Sequence, residues 1–176
     1  MKYLTDKVES GLAYEYLLMF LISGPVKVLE VGSYQNGFLK WWKNNFPSSQ
    51  VYGIDNKAVS ITEEEYKDIV VENLDQNDTE KLTDFCKRHG SFDVIIDDAS
   101  HCEKETENTF KTLWPFIIPG GWYVIEDWGA SYFQHDMGKT YRIIADMILN
   151  KGELGIGETK IICREKGISI AFFRKG

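Results

Sequence analysis

Apolar residues gather in short continuous runs at positions 26–31, 50–54, 68–72, 92–97 and 122–126. Runs of that length without alternation are expected of parallel strands covered on both faces. Between them the apolar residues recur at helical spacing instead. Leu39, Trp42 and Phe46 share one face before Pro47; Leu82, Phe85 and Cys86 share another, which Gly90 ends; Phe110, Leu113, Trp114 and Ile117 repeat until Pro115 interferes. A further helix is expected over 12–22, closed by Gly24 and Pro25, and another over 137–149, with Tyr141, Ile144 and Ile148 on one stripe. The order is β-α-β, repeated. Near the carboxyl terminus it changes, because strands at 160–164 and 168–173 are separated by too few residues for a crossover helix and must form an antiparallel hairpin. The pattern predicts an α/β fold: a Rossmann-like, doubly wound, mostly parallel seven-stranded sheet with a C-terminal antiparallel hairpin. No domain boundary or repeat interrupts it, so residues 1–176 are expected to form a single domain with an N-terminal helix.

Composition agrees with a globular domain and narrows its setting. A chain of 176 residues, 43% apolar and 27% charged, is long enough to bury roughly 70% of its unfolded surface without disulfides. Cys86, Cys102 and Cys163 are odd in number and contain no CxxC pair, which disfavours a secreted disulfide framework and a cysteine zinc site. The longest apolar run, 17–22, falls far short of the ~20 residues of a membrane span, and the amino terminus is too polar for a secretory signal. A soluble, cytoplasmic protein is expected. With 20 Lys and Arg against 27 Asp and Glu, and no basic cluster, neither nucleic acid nor a membrane is an expected partner. A homo-oligomer stays open.

Candidate chemistry falls at the carboxyl ends of the expected strands. After the first come Glu30, Gly32 and Gly37, in a turn that lets the backbone approach a ligand at the sheet edge, or that is simply a tight turn. The second strand ends in Asp55, a carboxylate able to accept both hydroxyl protons of a ribose, or to cap a turn. Beyond the third, Asp75 and Gln76 could meet an adenine edge, while Asp78 reads as the cap of the following helix. The coincidence of all three at consecutive strand ends suits a nucleoside cofactor whose amino-acid tail needs no phosphate cradle. The fourth and fifth strands bring Asp97, Asp98, Glu126 and Asp127 together, and oxygen ligands with open positions suit Mg²⁺ or Mn²⁺. Helix capping and solvated loop charges are the alternative. His101 lies just after Asp98, where Ser100 and Glu103 read as a capping box. A helix N-terminus there would help keep the imidazole neutral and able to accept a proton. His89 and His135 read as structural or surface residues.

The segments LEVGSYQNG, VYGIDN, DQND, FDVIIDDASH and PGGWYVIEDW together resemble the Mg²⁺-dependent O-methyltransferases that tailor macrolide sugars, and the related cephalosporin-biosynthesis methyltransferases. The likeness runs from about residue 6 to residue 132. It implies the class I methyltransferase fold, with S-adenosylmethionine and Mg²⁺ or Mn²⁺ as cofactors. Carried over residue by residue, it implies Asp98, Glu126 and Asp127 as metal ligands, His101 as catalytic base, and Glu30, Gly32, Asp55, Asp75 and Gln76 around the cofactor. The spacing from Asp98 to Glu126 also resembles that of catechol O-methyltransferases, which use a lysine where this chain has His101. Departures are Asn36 and Phe38, where the family usually has glycine and serine, and Ala99, where it usually has glycine. The implied activity is transfer of a methyl group to a hydroxyl of a sugar or other small polyol. The alternatives are a catechol or phenol acceptor, for which Trp128, Tyr132 and Phe133 could form an aromatic wall, and a non-catalytic S-adenosylmethionine-binding module. The Asp/Asn-Pro-Pro-Tyr/Phe motif of amino-group methylation is absent after the fourth strand, which disfavours N-methylation.

Overall fold

The computed structural model describes residues 7, 11, 15, 16, 26–130, 138–164 and 169–176. Most of the helix expected over 12–22 and the turn between the last two strands lie outside the described residues, as do Tyr132, Phe133 and His135. Within them the chain runs β1 (Lys27–Val31), α1 (Gly37–Asn45), β2 (Gln50–Asp55), β3 (Val70–Asn73), α2 (Thr79–His89), β4 (Phe92–Asp97), α3 (Glu103–Leu113), β5 (Ile117–Glu126), α4 (Thr140–Leu149), β6 (Ile156–Cys163) and β7 (Ser169–Lys175). Among the described residues no helix is long and apolar enough to cross a membrane.

The seven strands form one sheet in the order β3-β2-β1-β4-β5-β7-β6. The five from β3 to β5 are parallel, and β7 runs antiparallel to both β5 and β6. The chain builds outward from β1 to β3 and then returns to place β4 on the other side of β1. That reversal is a topological switch point, and it opens a crevice between the carboxyl ends of β1 and β4.

Strand residues alternate between two cores. Leu29, Val31, Ile54 and Ile95 join Leu82, Phe85, Phe110, Leu113, Ile144 and Met147 from α2, α3 and α4 on one face. Val28, Val51, Val94 and Ile96 join Phe38, Leu39, Trp41 and Trp42 from α1, together with Tyr16, on the other. Burial on both faces explains why these runs do not alternate in the sequence. Each large side chain so buried contributes roughly 1.5–3 kcal/mol.

Several boundaries differ from the sequence pattern, β3 beginning at Val70 and β6 at Ile156, and two differences go beyond a shift of ends. Pro115 sits in a short 3₁₀ turn, Trp114–Phe116, and Ile117 opens β5 instead of closing α3. The register between β4 and β5 then jumps from Phe92↔Ile117 to Val94↔Trp122, an irregularity that takes up Gly120 and Gly121. The second concerns α3. Its N-cap is Cys102 and makes no side-chain cap bond, so the capping box does not form; the Ser100 hydroxyl accepts from the Cys102 N–H instead, at 3.2 Å. By contrast, Asp78 caps α2 as expected, its carboxylate accepting from the Lys81 N–H at 3.0 Å.

Candidate functional site

The loop after β1 is bent by three positive backbone angles, at Gly32 (φ 88°), Tyr34 (47°) and Asn36 (61°). Asparagine tolerates this region, and Asn36 is held there by its side-chain N–H, which donates to the Val59 carbonyl at 2.6 Å. Gly32 has a second reason to be glycine. A Cβ there would stand 2.4 Å from the Asp98 carbonyl oxygen, so the loops after β1 and β4 are in backbone contact. At the end of β2, Asp55 accepts from the N–H groups of Tyr34 and Lys57, each at 2.8 Å, which fixes its carboxylate at the rim of the crevice.

Two adjoining cavities fill that crevice. One, of about 350 Å³, is lined by Gly32, Tyr34, Asp55, Gln76, Asp98 and Ser100 among others. The second, of about 330 Å³, shares Gly32, Tyr34 and Asp98 and continues past Glu30 and Gly37 to His101 and Asp127. Of the residues expected around a nucleoside, Asp55 and Gln76 border the first cavity and Glu30 and Gly37 the second, with Gly32 between them. Asp75 does not. Its exposed carboxylate accepts from the Asn77 N–H at 2.8 Å, the local turn bond that aspartate favours, and faces a separate surface cleft. Gln76 has both ends of its amide engaged: its carbonyl accepts from the Ser100 N–H at 2.9 Å, and its NH₂ donates to Thr109 Oγ1 at 3.2 Å. It thereby pins the loop after β4.

At the far end of the groove, the ligand atoms of Asp98, His101 and Asp127 lie within 4.8 Å of one another, and His101 Nε2 stands 4.0 Å from Asp98 Oδ1. His101 is two residues short of α3 and in the left-handed region, with φ 57°, its carbonyl accepting from Thr140 Oγ1 at 2.7 Å. Asp127 is also left-handed, φ 49°, with its N–H donated to the Ser169 carbonyl at 2.7 Å. Such backbone is costly for ordinary residues and collects where a site needs a side chain aimed in one direction.

Glu126 is not in that group of three. It is 2% exposed and accepts a hydrogen bond from the hydroxyl of Tyr16, which is fully buried. Lys7 completes the arrangement: its Nζ lies 2.6 Å from Asp98, 2.9 Å from Glu30 and 3.6 Å from Glu126, and 4.5 Å above the Phe38 ring. Burial alone would push the Lys7 pKa down, but the carboxylates of Glu126, Glu30 and Asp98 more than reverse this, so it stays an ammonium. Burial pushes the Glu126 carboxyl up, against the pull of Lys7, with Asp98 and Glu30 adding to the upward push. Asp97, one residue from the groove, is wholly buried, and that burial raises its pKa to about 7. Sequence reasoning missed Lys7, Tyr16 and Ser169. Only Tyr16 left a trace, as part of an expected helix.

Elsewhere, His89 is structural: its Nε2 meets Glu72 at 3.1 Å and its ring packs between Tyr52 and Phe85. Trp128 packs partly buried against the core.

The donor set of the acidic corner fits a hard divalent cation. It is built from carboxylates and one imidazole without thiolate, and it already accepts one positive charge, the Lys7 ammonium.

No protein-family model matches the chain. Among proteins of known activity, demethylmacrocin O-methyltransferase of Streptomyces fradiae is 41% identical over 115 residues, covering 61% of this chain and 29% of the relative. A tetracenomycin-C 3'-O-methyltransferase acting in the 8-demethyl-8-(2-methoxy-α-L-rhamnosyl) series, from Streptomyces olivaceus, is 36% identical over 126 residues, covering 68% of this chain and 32% of the relative. The structure of the mycinamycin-pathway methyltransferase MycE in complex with Mg and SAH superposes with a TM-score of 0.79 at 28% identity. This chain has the class I methyltransferase fold, and its relatives are macrolide and tetracenomycin sugar O-methyltransferases. It spans about a third of the length of those curated relatives, whereas the superposition with MycE covers all of this chain and 51% of that one.

Proposed function

We propose that this chain is a single-domain enzyme that transfers the methyl group of S-adenosylmethionine to a hydroxyl of a sugar or other small polyol, with the help of Mg²⁺ or Mn²⁺. The reading is carried by two neighbouring cavities that share Gly32, Tyr34 and Asp98 as lining. A groove at the β1/β4 switch point has an anchored carboxylate, Asp55, at one end and the cluster of Asp98, His101 and Asp127 at the other. The MycE complexes, one of which contains Mg, SAH and mycinamycin VI, support a small-molecule acceptor. A cytoplasmic setting suits the free cysteines.

In this reading Asp55 accepts the ribose hydroxyl protons, Gly32 and Gly37 keep the groove floor open, and Glu30 meets the amino-acid end of the donor. Asp98, Glu126 and Asp127 hold the divalent cation. A bound cation would supply Lewis acidity toward an oxygen nucleophile. His101 takes the proton of the acceptor hydroxyl as its oxygen bonds to the sulfonium methyl carbon, and the carbon–sulfur bond breaks with its electron pair returning to sulfur. A ring nitrogen of His101 also stands within 4.8 Å of ligand atoms of Asp98 and Asp127, so the titration of Mn²⁺ separates its two roles, base and metal ligand.

The test is transfer of labelled methyl to a panel of sugar, polyol and catechol acceptors, followed by single turnover on the preferred one. Chelation should abolish transfer while cofactor binding persists. His101→Ala should slow the chemical step by roughly 10² to 10⁴ with Mn²⁺ affinity retained. A chemical step unchanged in His101→Ala removes it as base; a collapse of Mn²⁺ affinity makes it a ligand instead. Full transfer in chelator defeats the metal requirement.

A further inference from the structure

Four carboxylates, from Glu30, Asp98, Glu126 and Asp127, converge on one corner, and the cation seated among them belongs to the chain itself. Lys7 Nζ contacts Asp98 and Glu30 within 3 Å and Glu126 at 3.6 Å, and the residue is only 3% exposed. Two of those three partners are the carboxylates to which the proposed function assigns the divalent ion.

We infer that Lys7 is a tethered cation that sets the affinity of the metal site: it neutralises Asp98 and Glu126 when no ion is bound and must yield them when one binds. The inference rests on the proposed cation site and goes beyond it, because it makes metal binding an exchange of one cation for another. An ammonium fixed to the same chain competes at a high effective concentration. A divalent ion prevails through its second charge and its ability to take several oxygens at once. Without the lysine, Glu30 and Glu126, each almost completely buried, would lose the ammonium that stands beside them and Asp98. The lysine therefore keeps the corner assembled before the metal arrives, at the cost of weakened metal binding. Arginine would preserve the charge; methionine would approximate the length while removing the charge, including the ammonium over the Phe38 ring.

The experiment is a Mn²⁺ titration followed by the paramagnetic resonance signal of free ion, on the wild type, Lys7→Met and Lys7→Arg. Lys7→Met should bind Mn²⁺ about tenfold or more tightly than wild type, corresponding to about 1.4 kcal/mol, with Lys7→Arg close to wild type. Unchanged or weaker binding by folded Lys7→Met overturns the inference while leaving the cation site intact. Failure of all three proteins to bind Mn²⁺ removes the site itself. A second measurement covers a Lys7→Met protein that does not fold. In the wild type, acylation of Lys7 by an amine-reactive ester, read by mass spectrometry, should be slow without metal and several-fold faster at saturating Mg²⁺. Equal protection in both states overturns the exchange.

Discussion

Asp97 shows what a single buried carboxyl does to the site beside it. Its Oδ2 has the Tyr123 hydroxyl at 3.4 Å, and the surrounding core raises its pKa to about 7 by desolvation, against an ordinary value near ~3.9. The sign follows from which state binds more protons. Between about pH 4 and pH 7 the folded protein keeps this carboxyl protonated while the unfolded chain ionises it, so stability falls as pH rises through that window. Asp97→Asn should flatten this part of the stability profile, by at most about 4 kcal/mol across it. Denaturant midpoints of both proteins in chelator between pH 4.5 and 7.5 check this; parallel profiles would show that Asp97 does not titrate there. At this scale the sequence was informative wherever a residue's role depends on its place at a strand end. Asp55, Asp98 and Asp127 all reach the groove. It was uninformative where a role depends on a remote partner. Tyr16 and Glu126 are 110 residues apart in sequence, and Lys7 and Asp98 are 91 apart, so nothing local marks either contact. Asp75 lies outside the lining of the two groove cavities, its carboxylate accepting a local turn bond from the Asn77 N–H.

The loop between β1 and α1 is the element on which both halves of the groove depend. Gly32 combines a left-handed backbone with contact against the Asp98 backbone, which cannot rotate away as a side chain could. Gly32→Ala should therefore destabilise the fold by roughly 1–3 kcal/mol and push the loops after β1 and β4 apart. Weakened binding of both S-adenosylhomocysteine and Mn²⁺ is expected in the folded fraction, measured beside the denaturant midpoint. A loss of stability with both affinities intact would show that the two loops are not coupled. Helices and strands were legible in the sequence because their apolar periods differ, and the C-terminal hairpin because its connection is too short for anything else. The start of α3 was not, because Ser100 spends its hydroxyl on the Cys102 N–H within a tight turn. That turn leaves His101 outside the helix, in left-handed backbone, so the helix dipole is a weaker influence on the imidazole than the sequence suggested.

Across the whole molecule, topology places the chemistry. The reversal of strand order between β1 and β4 opens the crevice, parallel strands deliver their carboxyl ends to one edge, and antiparallel β7 braces the β5 end through Ser169, whose carbonyl and hydroxyl accept from the N–H groups of Asp127 and Gly129. A nucleoside-cofactor groove leading to a cation site should reveal itself in calorimetric titration of S-adenosylhomocysteine in the presence of Mg²⁺. The wild type should bind one equivalent, and Asp55→Ala should lose about 1–3 kcal/mol of that binding because the hydrogen bonds to a charged carboxylate disappear. Equal affinity in the two proteins would remove Asp55 from the groove's binding surface, and binding of NAD with none of S-adenosylhomocysteine would show that the crevice serves a different cofactor.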